Sequence, residues 1–333
     1  MNGSESPLVG RSPAHQKLLA QIRRVAPADV EVLLSGPTGV GKELYARLLH
    51  KLSPRSAEAF VPVNCGAVPS DLFENELFGH VGGAFTGARP RAEGLVTEAD
   101  RGTLFLDEVD SLAPAAQVKL LRLIQEKEYR RLGESRTRQA DIRIVAATNA
   151  DLLTAVREKR FREDLFFRLR VIPIEVPPLR ERREDIPPLL ASYVAQCAKS
   201  YGLPPVTFTR AALERMHTYA WPGNVRELEN CVRYLTCLRL SGPVDVDDLP
   251  LLKGEGEPAP CFEEPDLTNL PLRDAKREVV TRFERAYLER ALDESRGNIA
   301  RAARQSGKAR RAFFELMRKH GLTAASFGRN GAG

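Results

Sequence analysis

Long apolar runs are missing from this sequence of 333 residues, and so is any ordered cysteine pattern. The hydrophobic stretches extend for only a few residues, and the opening Met1-Asn2-Gly3-Ser4-Glu5 has neither a basic start nor an apolar core. No membrane span or signal peptide is therefore expected, and the chain reads as cytoplasmic. The five cysteines (Cys65, Cys197, Cys231, Cys237 and Cys261) are scattered, odd in number and never in C-x-x-C spacing. That argues against a disulfide framework or a zinc site and predicts reduced, structural thiols. The net charge, +6, is small but unevenly placed. Ser241 to Leu270 holds eight acidic residues against the single basic Lys253, whereas Pro271 to the end holds fifteen basic against seven acidic. This asymmetry points to a nucleic-acid module behind an acidic linker; charge alone leaves a solvated helical face as the alternative. At 43% hydrophobic and 28% charged residues the composition is that of a globular protein, with length for two or three domains.

What is present is organised around Val32 to Glu43, VLLSGPTGVGKE. An apolar run meets Gly36, Gly39 and Gly41-Lys42, after which Leu44, Ala46, Leu48 and Leu49 recur at helical spacing: strand, glycine turn, helix. Such a turn lets backbone N–H groups converge on phosphate oxygens at a helix N-terminus while a lysine reaches the terminal phosphates. Gly36 to Lys42 fits G-x-x-x-x-G-K-[ST] up to the last position, where Glu43 replaces the magnesium-binding hydroxyl. A glycine turn that binds nothing is the competing reading of this stretch alone.

Downstream, Phe60 to Asn64 and Ile142 to Ala147 read as strands ending in polar residues, the latter in Thr148-Asn149. Between them Gly102-Thr103-Leu104-Phe105-Leu106-Asp107-Glu108 is an apolar strand of the buried parallel kind that closes on two carboxylates, suited to hold magnesium and polarise water. Chemistry at the same end of several strands predicts a doubly wound α/β sheet. Gly83-Ala84-Phe85-Thr86-Gly87-Ala88 makes a poor core segment and reads as a loop that exposes Phe85 for contact. Phe161 to Leu169 sets Arg162 and Arg168 amid apolar residues, where they fit local pairing or, in a nucleotide hydrolase, finger arginines. From Pro177 to Leu240 the pattern is helical, broken at Trp221-Pro222-Gly223-Asn224, with Asn224 or Gly223 as the cap of a helix carrying Arg226.

Ser241 to Pro271 reads as a flexible linker. A long amphipathic helix over Val279 to Leu292 is expected beyond it. Asn298 should cap a short helix over Ile299 to Gln305, and a turn at Ser306-Gly307-Lys308 leads to a second helix over Ala309 to His320 that buries Ala312, Phe313, Leu316 and Met317. Helix-turn-helix is the reading, with Lys308, Arg310, Arg311, Phe314 and Arg318 facing DNA; a plain helical hairpin is the alternative.

GAFTGA at Gly83 to Ala88, together with GPTGVGKE, TLFLDE, ATNADL, FREDLFFRL and WPGNVREL in that order, resembles the sigma-54-dependent transcription activators. The resemblance runs from about Leu8 to Leu322 and implies an α/β class chain: a doubly wound parallel-sheet P-loop AAA+ domain (8–176), an α-helical lid (177–240), an acidic linker (241–271) and an all-α Fis-type helix-turn-helix domain (272–322). Residues 1–7 and 323–333 would be leader and tail. It further implies ATP and Mg2+ as cofactors, with Val9, Gly36, Pro37, Thr38, Gly39, Val40, Gly41, Lys42, Glu43, Asp107 and Arg226 around the nucleotide. Asp107 would hold the magnesium, Glu108 would activate water and Asn64 would restrain Glu108. Asn149 with Thr148 would sense the nucleotide, as Arg226 would from the lid. Arg162 and Arg168 would act as fingers on the neighbouring subunit, which requires a ring, expected to be a hexamer. Gly83, Ala84, Phe85, Thr86, Gly87 and Ala88 would touch sigma-54, making the partners the sigma-54 RNA polymerase holoenzyme and upstream enhancer DNA. Relatives commonly carry a receiver or GAF domain ahead of the ATPase; with Leu8 at its edge, control is expected from a protein acting in trans or from expression level. The function implied is ATP hydrolysis that remodels the closed sigma-54 RNA polymerase complex; the competing readings are a passive nucleotide- and DNA-binding repressor or scaffold, against which intact Gly83 to Ala88 and Glu108 stand, and a general AAA+ remodeller, disfavoured by the same loop and the helix-turn-helix tail.

Overall fold

A computed structural model describes residues 8–82, 91–239, 242–251, 288, 292, 295, 298–306 and 310–320. The chain divides into two compact units, Met1–Glu257 and Pro258–Gly333.

The first unit opens with α1 (Pro13–Val25), β1 (Val32–Ser35), α2 (Lys42–Lys51), β2 (Phe60–Asn64) and α3 (Ser70–Phe78). An antiparallel hairpin, β3 (Gly79–Val81) with β4 (Arg91–Glu93), precedes α4 (Leu95–Glu98), β5 (Thr103–Asp107) and α5 (Pro114–Glu126). A second small hairpin, β6 (Glu128–Tyr129) with β7 (Arg138–Gln139), leads to β8 (Arg143–Thr148), α6 (Leu152–Arg157), α7 (Glu163–Leu169) and β9 (Ile172–Glu175). Strands β2-β5-β8-β1-β9 form one sheet in that order, every pair parallel. Because successive side chains leave a strand on opposite faces, one apolar run feeds two cores. Leu104 and Leu106 of β5 join Ile144 and Ala146 of β8 beneath α3, α5, α6 and α7. Phe105, Val145, Val32 and Leu34 pack on the other face with Leu18 and Ile22 of α1 and Tyr45, Ala46 and Leu49 of α2. The sheet is thus covered on both faces, as continuous apolar strands require.

Helices α8 (Ile186–Tyr201), α9 (Arg210–Thr218) and α10 (Asn224–Leu238) build a third core around Trp221, Tyr219, Met216, Leu228, Val232 and Leu235. The fully buried Trp221 donates its indole N–H to the Met216 carbonyl at 2.8 Å. This lid runs on past Leu240: Val244 is buried, its N–H bonds the Thr207 carbonyl at 2.8 Å, and Leu249 and Leu251 pack on the same core. An acidic composition marked the segment as linker, but two or three apolar side chains suffice to dock it. The remaining linker residues, 252–271, the leader 1–7 and the tail lie outside the described residues.

In the second unit Leu288 and Leu292 are buried with Ala302, Ala303, Phe313 and Met317; the rest of the long helix expected there lies outside the described residues. Asn298 caps α11 (Ile299–Gln305) by accepting the Arg301 N–H at 3.1 Å. In α12 (Arg310–Lys319) Phe313 and Met317 point inward, while Phe314 (53% exposed) and Arg318 face out. Lys308 and the side chains of Arg310, Arg311 and Ala312 lie outside the described residues.

Candidate active site

The glycine turn after β1 has a shape only glycine allows cheaply. Gly39 and Gly41 hold φ values of 80° and 95°, and a Cβ on Gly39 would sit 2.3 Å from the Gly223 carbonyl oxygen of the lid. Lys42 opens α2, and its Nζ folds back to donate to the carbonyls of Gly36 (2.8 Å) and Pro37 (3.2 Å). Burial lowers the Lys42 pKa, opposed by the charges of Asp107, Asp110 and Glu108. Those carboxylates are what keep a cation in place where phosphate oxygens are to arrive.

Parallel register brings the strand ends into one row, with Asn64 beside Asp107 and Ser35 beside Thr148. Asp107 accepts the N–H of Glu108 at 3.0 Å. Glu108 itself lies in the left-handed region, φ 55° and ψ 46°, a conformation costly enough for a non-glycine residue that the surroundings must impose it. Its carboxylate rests over Gly66, where an added Cβ would lie 2.4 Å from Oε2. Asn64 meets the same glycine but spends its Oδ1 on the N–H groups of Gly66 (2.8 Å) and Ala67 (2.9 Å). The Thr148 hydroxyl donates to Asp110 at 2.6 Å, and the Asn149 amide donates to the Thr38 hydroxyl at 3.0 Å. Cys65, in the same row, has a thiol pushed up to about 12, first by burial and then by Asp107, Asp110 and Glu108. That thiol is no nucleophile at neutral pH.

The lid reaches this row through the start of α10. Arg226 donates its backbone N–H to the Gly39 carbonyl at 3.2 Å, and Asn224 donates its amide to the Thr38 carbonyl at 2.9 Å while accepting the Leu179 N–H. Asn224 is not the helix cap, which is Gly223; its side chain is committed to tertiary bonds. Another tie lies deeper: buried Arg182 donates to the Val40 carbonyl and to the Tyr45 hydroxyl, each at 2.9 Å. Buried Asp185 accepts the N–H groups of Arg11 (2.6 Å) and Ser12 (2.7 Å) and the Ser12 hydroxyl (2.8 Å).

Together these elements enclose a cavity of about 310 Å3. Its floor is Thr38, Gly39, Gly41, Lys42, Glu43 and Leu44; Asp107, Glu108 and Asn149 stand on one side, and Tyr193, Val225, Arg226 and Glu229 form the lid wall. Gly36, Pro37 and Val40 shape the turn from behind, and Val9 packs on the lid core. Tyr193 and Glu229 were not anticipated from the sequence. Glu229 lies one turn past Arg226 and was findable by helical spacing, whereas nothing local marks Tyr193. Arg162 and Arg168 sit at either end of α7, exposed and outside this cavity, with Arg162 paired to Asp164 at 2.7 Å. Gly83 to Ala88 lies outside the described residues; the strands that flank it, β3 and β4, pair in register from Gly79 with Glu93 to Val81 with Arg91. Glu43 is held by Arg47 at 2.7 Å. Among the described residues no three His, Cys, Asp or Glu side chains group as a metal cage, so a magnesium site here fits Asp107 completed by phosphate oxygens and water.

Residues 8–175 match the Sigma-54 interaction domain family, 180–260 the AAA+ ATPase lid domain and 279–319 the bacterial regulatory proteins of the Fis family. The chain belongs to the sigma-54-dependent activators. The transcriptional regulatory protein GlrR of Escherichia coli K12 is 42% identical over 323 residues, covering 96% of this chain and 69% of GlrR. ZraR of the same organism is 43% identical over 317 residues, 95% of this chain and 69% of ZraR. Among solved structures, NtrX from Brucella abortus in complex with ATP superposes with a TM-score of 0.70 at 35% identity, covering 96% of this activator and 70% of NtrX. The α/β class, the AAA+ ATPase domain with its lid and the Fis-type helix-turn-helix of this activator are thereby fixed.

Proposed function

We propose that this activator hydrolyses ATP and uses the cycle to remodel the closed sigma-54 RNA polymerase complex, while α11 and α12 hold upstream enhancer DNA. One observation carries the reading: Lys42, Asp107, Glu108, Asn149 and Arg226 face a single cavity at the carboxyl ends of a parallel sheet, where ligands of such sheets bind.

The turn N–H groups and Lys42 bind the phosphates, and Lys42 is held ready by its two carbonyl bonds. Magnesium bound at Asp107 would neutralise charge on the transferred phosphoryl group. Glu108 takes the proton of the attacking water. Asn64 and Glu108 both lie against Gly66, which supports a role for Asn64 in restraining Glu108 between cycles. Asn149, tied to Thr38, and Arg226, tied to Gly39, report the terminal phosphate to the sheet and the lid. Arg162 and Arg168 are exposed and outside their own cavity, the arrangement needed for fingers supplied to a neighbour in a hexameric ring. Phe85 and Thr86 engage sigma-54.

Thr86 tests the coupling, because the loop is set apart in sequence from the strand ends that gather nucleotide. Thr86→Ala should bind ATP and keep a substantial part of its hydrolysis, yet fail to bind sigma-54 in the presence of ADP and aluminium fluoride and fail to open a sigma-54 promoter. Normal promoter opening by Thr86→Ala would remove the remodelling assignment and favour a passive DNA-bound regulator.

A further inference from the structure

The cavity holds two polar side chains that the phosphate chemistry leaves unused. Tyr193 of α8 is 7% exposed, lines the cavity, and its hydroxyl has no hydrogen-bond partner among the described residues. Glu229 of α10 lines it too. The carboxylate spends Oε1 on Arg233 at 2.7 Å and leaves Oε2 without a partner among the described residues. Both side chains line the one cavity, and burial first, then the Glu229 charge, opposed by Arg182, push the Tyr193 hydroxyl up to about 12. The tyrosine therefore stays a neutral O–H that can both donate and accept.

A carboxylate beside a phosphate site is repelled by phosphate, so Glu229 faces some other part of the ligand. The geometry says which part. The start of α10 abuts the P-loop through Arg226 and Gly39, and Glu229 follows one helical turn later, about 5 Å along the axis. Val225, partly buried against the lid core and lining the cavity, offers apolar surface suited to a base. Between an apolar base wall and the phosphate turn, a nucleotide presents its sugar, whose vicinal hydroxyls are donors seeking acceptors. A carboxylate reading a ribose hydroxyl is the device that parallel-sheet dinucleotide folds use.

We propose that Glu229 and Tyr193 form a ribose-reading pair that makes this activator prefer ribonucleotides over 2′- or 3′-deoxynucleotides, an inference that rests on the ATP reading of the cavity. Glu229 accepts from one sugar hydroxyl and Tyr193 bonds the other.

Equilibrium binding of ATP, 2′-deoxy-ATP, 3′-deoxy-ATP and inosine triphosphate to the full chain with magnesium tests it. At least one deoxy analogue should bind roughly tenfold more weakly than ATP, the loss expected when a charged acceptor is left without its hydroxyl. Glu229→Gln and Tyr193→Phe should narrow that gap by weakening ATP more than the deoxy analogue, with thermal unfolding showing both variants folded. Equal affinity of the wild-type chain for ATP and both deoxy analogues would overturn the pairing. So would a gap untouched in both variants, or variants that alter only discrimination against inosine triphosphate, which would place the pair at the base. No ATP binding by the wild-type chain would instead overturn the nucleotide-site reading beneath it.

Discussion

Glu108 and Lys42 both face the cavity, yet they should fail differently when replaced. Glu108 is held in a left-handed backbone conformation with its carboxylate over Gly66, a placement suited to act on a water. Lys42 is a charge buried against two carbonyls and balanced by three nearby carboxylates. Glu108→Gln keeps shape and loses basicity, so ATP should bind with near-normal affinity while turnover falls roughly a hundredfold or more. Lys42→Ala should lose nucleotide binding itself. Paired binding and single-turnover measurements decide; near-normal turnover in Glu108→Gln would remove its role as base. The placement of both residues at the cavity was readable in sequence because strand-turn-lysine and strand-carboxylate patterns are local. Asp110, which accepts the Thr148 hydroxyl, was not readable, because its partner lies 38 residues away and meets it only across β5 and β8.

At the scale of elements, the lid is joined to the sheet domain by buried polar ties. The strongest cluster is Asp185, fully buried, with three donors on its two oxygens. Asp185→Ala would strand the N–H groups of Arg11 and Ser12 and the Ser12 hydroxyl without acceptors, at a cost of about 3 kcal/mol or more. Urea unfolding of the full chain should show a lower midpoint, and Asp185→Asn, which keeps one acceptor oxygen, should lie in between. An unchanged midpoint for Asp185→Ala would mean the cluster adds no net stability. The sequence shows Asp185 only as one more charge in a run of charged residues, since nothing local distinguishes a buried carboxylate from a solvated one. The hairpins β3–β4 and β6–β7 escaped for a related reason: strands of two or three residues carry too short an alternation to register.

For the molecule as a whole, the uneven charge along the chain separates two tasks. Fifteen basic residues against seven acidic follow Pro271, and the second unit has its own core of Leu288, Leu292, Phe313 and Met317. DNA affinity should therefore change independently of hydrolysis. Arg310→Ala and Arg311→Ala, in the full chain, should weaken DNA binding and flatten its salt dependence by about one unit of log–log slope per lost phosphate contact. The ATPase rate should stay the same. Unaltered affinity and slope in the double variant would move the DNA contact away from the start of α12.

The sequence by itself determined what is written in short-range chemistry. Glycine spacing sets the turn before α2, apolar runs set the buried central strands β1, β5 and β8, an asparagine sets the cap of α11, and the ordered blocks around GAFTGA mark the family. These follow from backbone sterics, pleat and helical period, which need no distant partner. Only the tertiary structure decided which surfaces meet. Sheet order β2-β5-β8-β1-β9 sets Asn64 beside Asp107, and the packing of α10 on the P-loop turns Asn224 from a cap into a bridge to Thr38. Tyr193 and Glu229 join the cavity wall because α8 and α10 fold back over the strand ends. Their place depends on how helices stack over a sheet, a long-range property that no window of neighbouring residues contains.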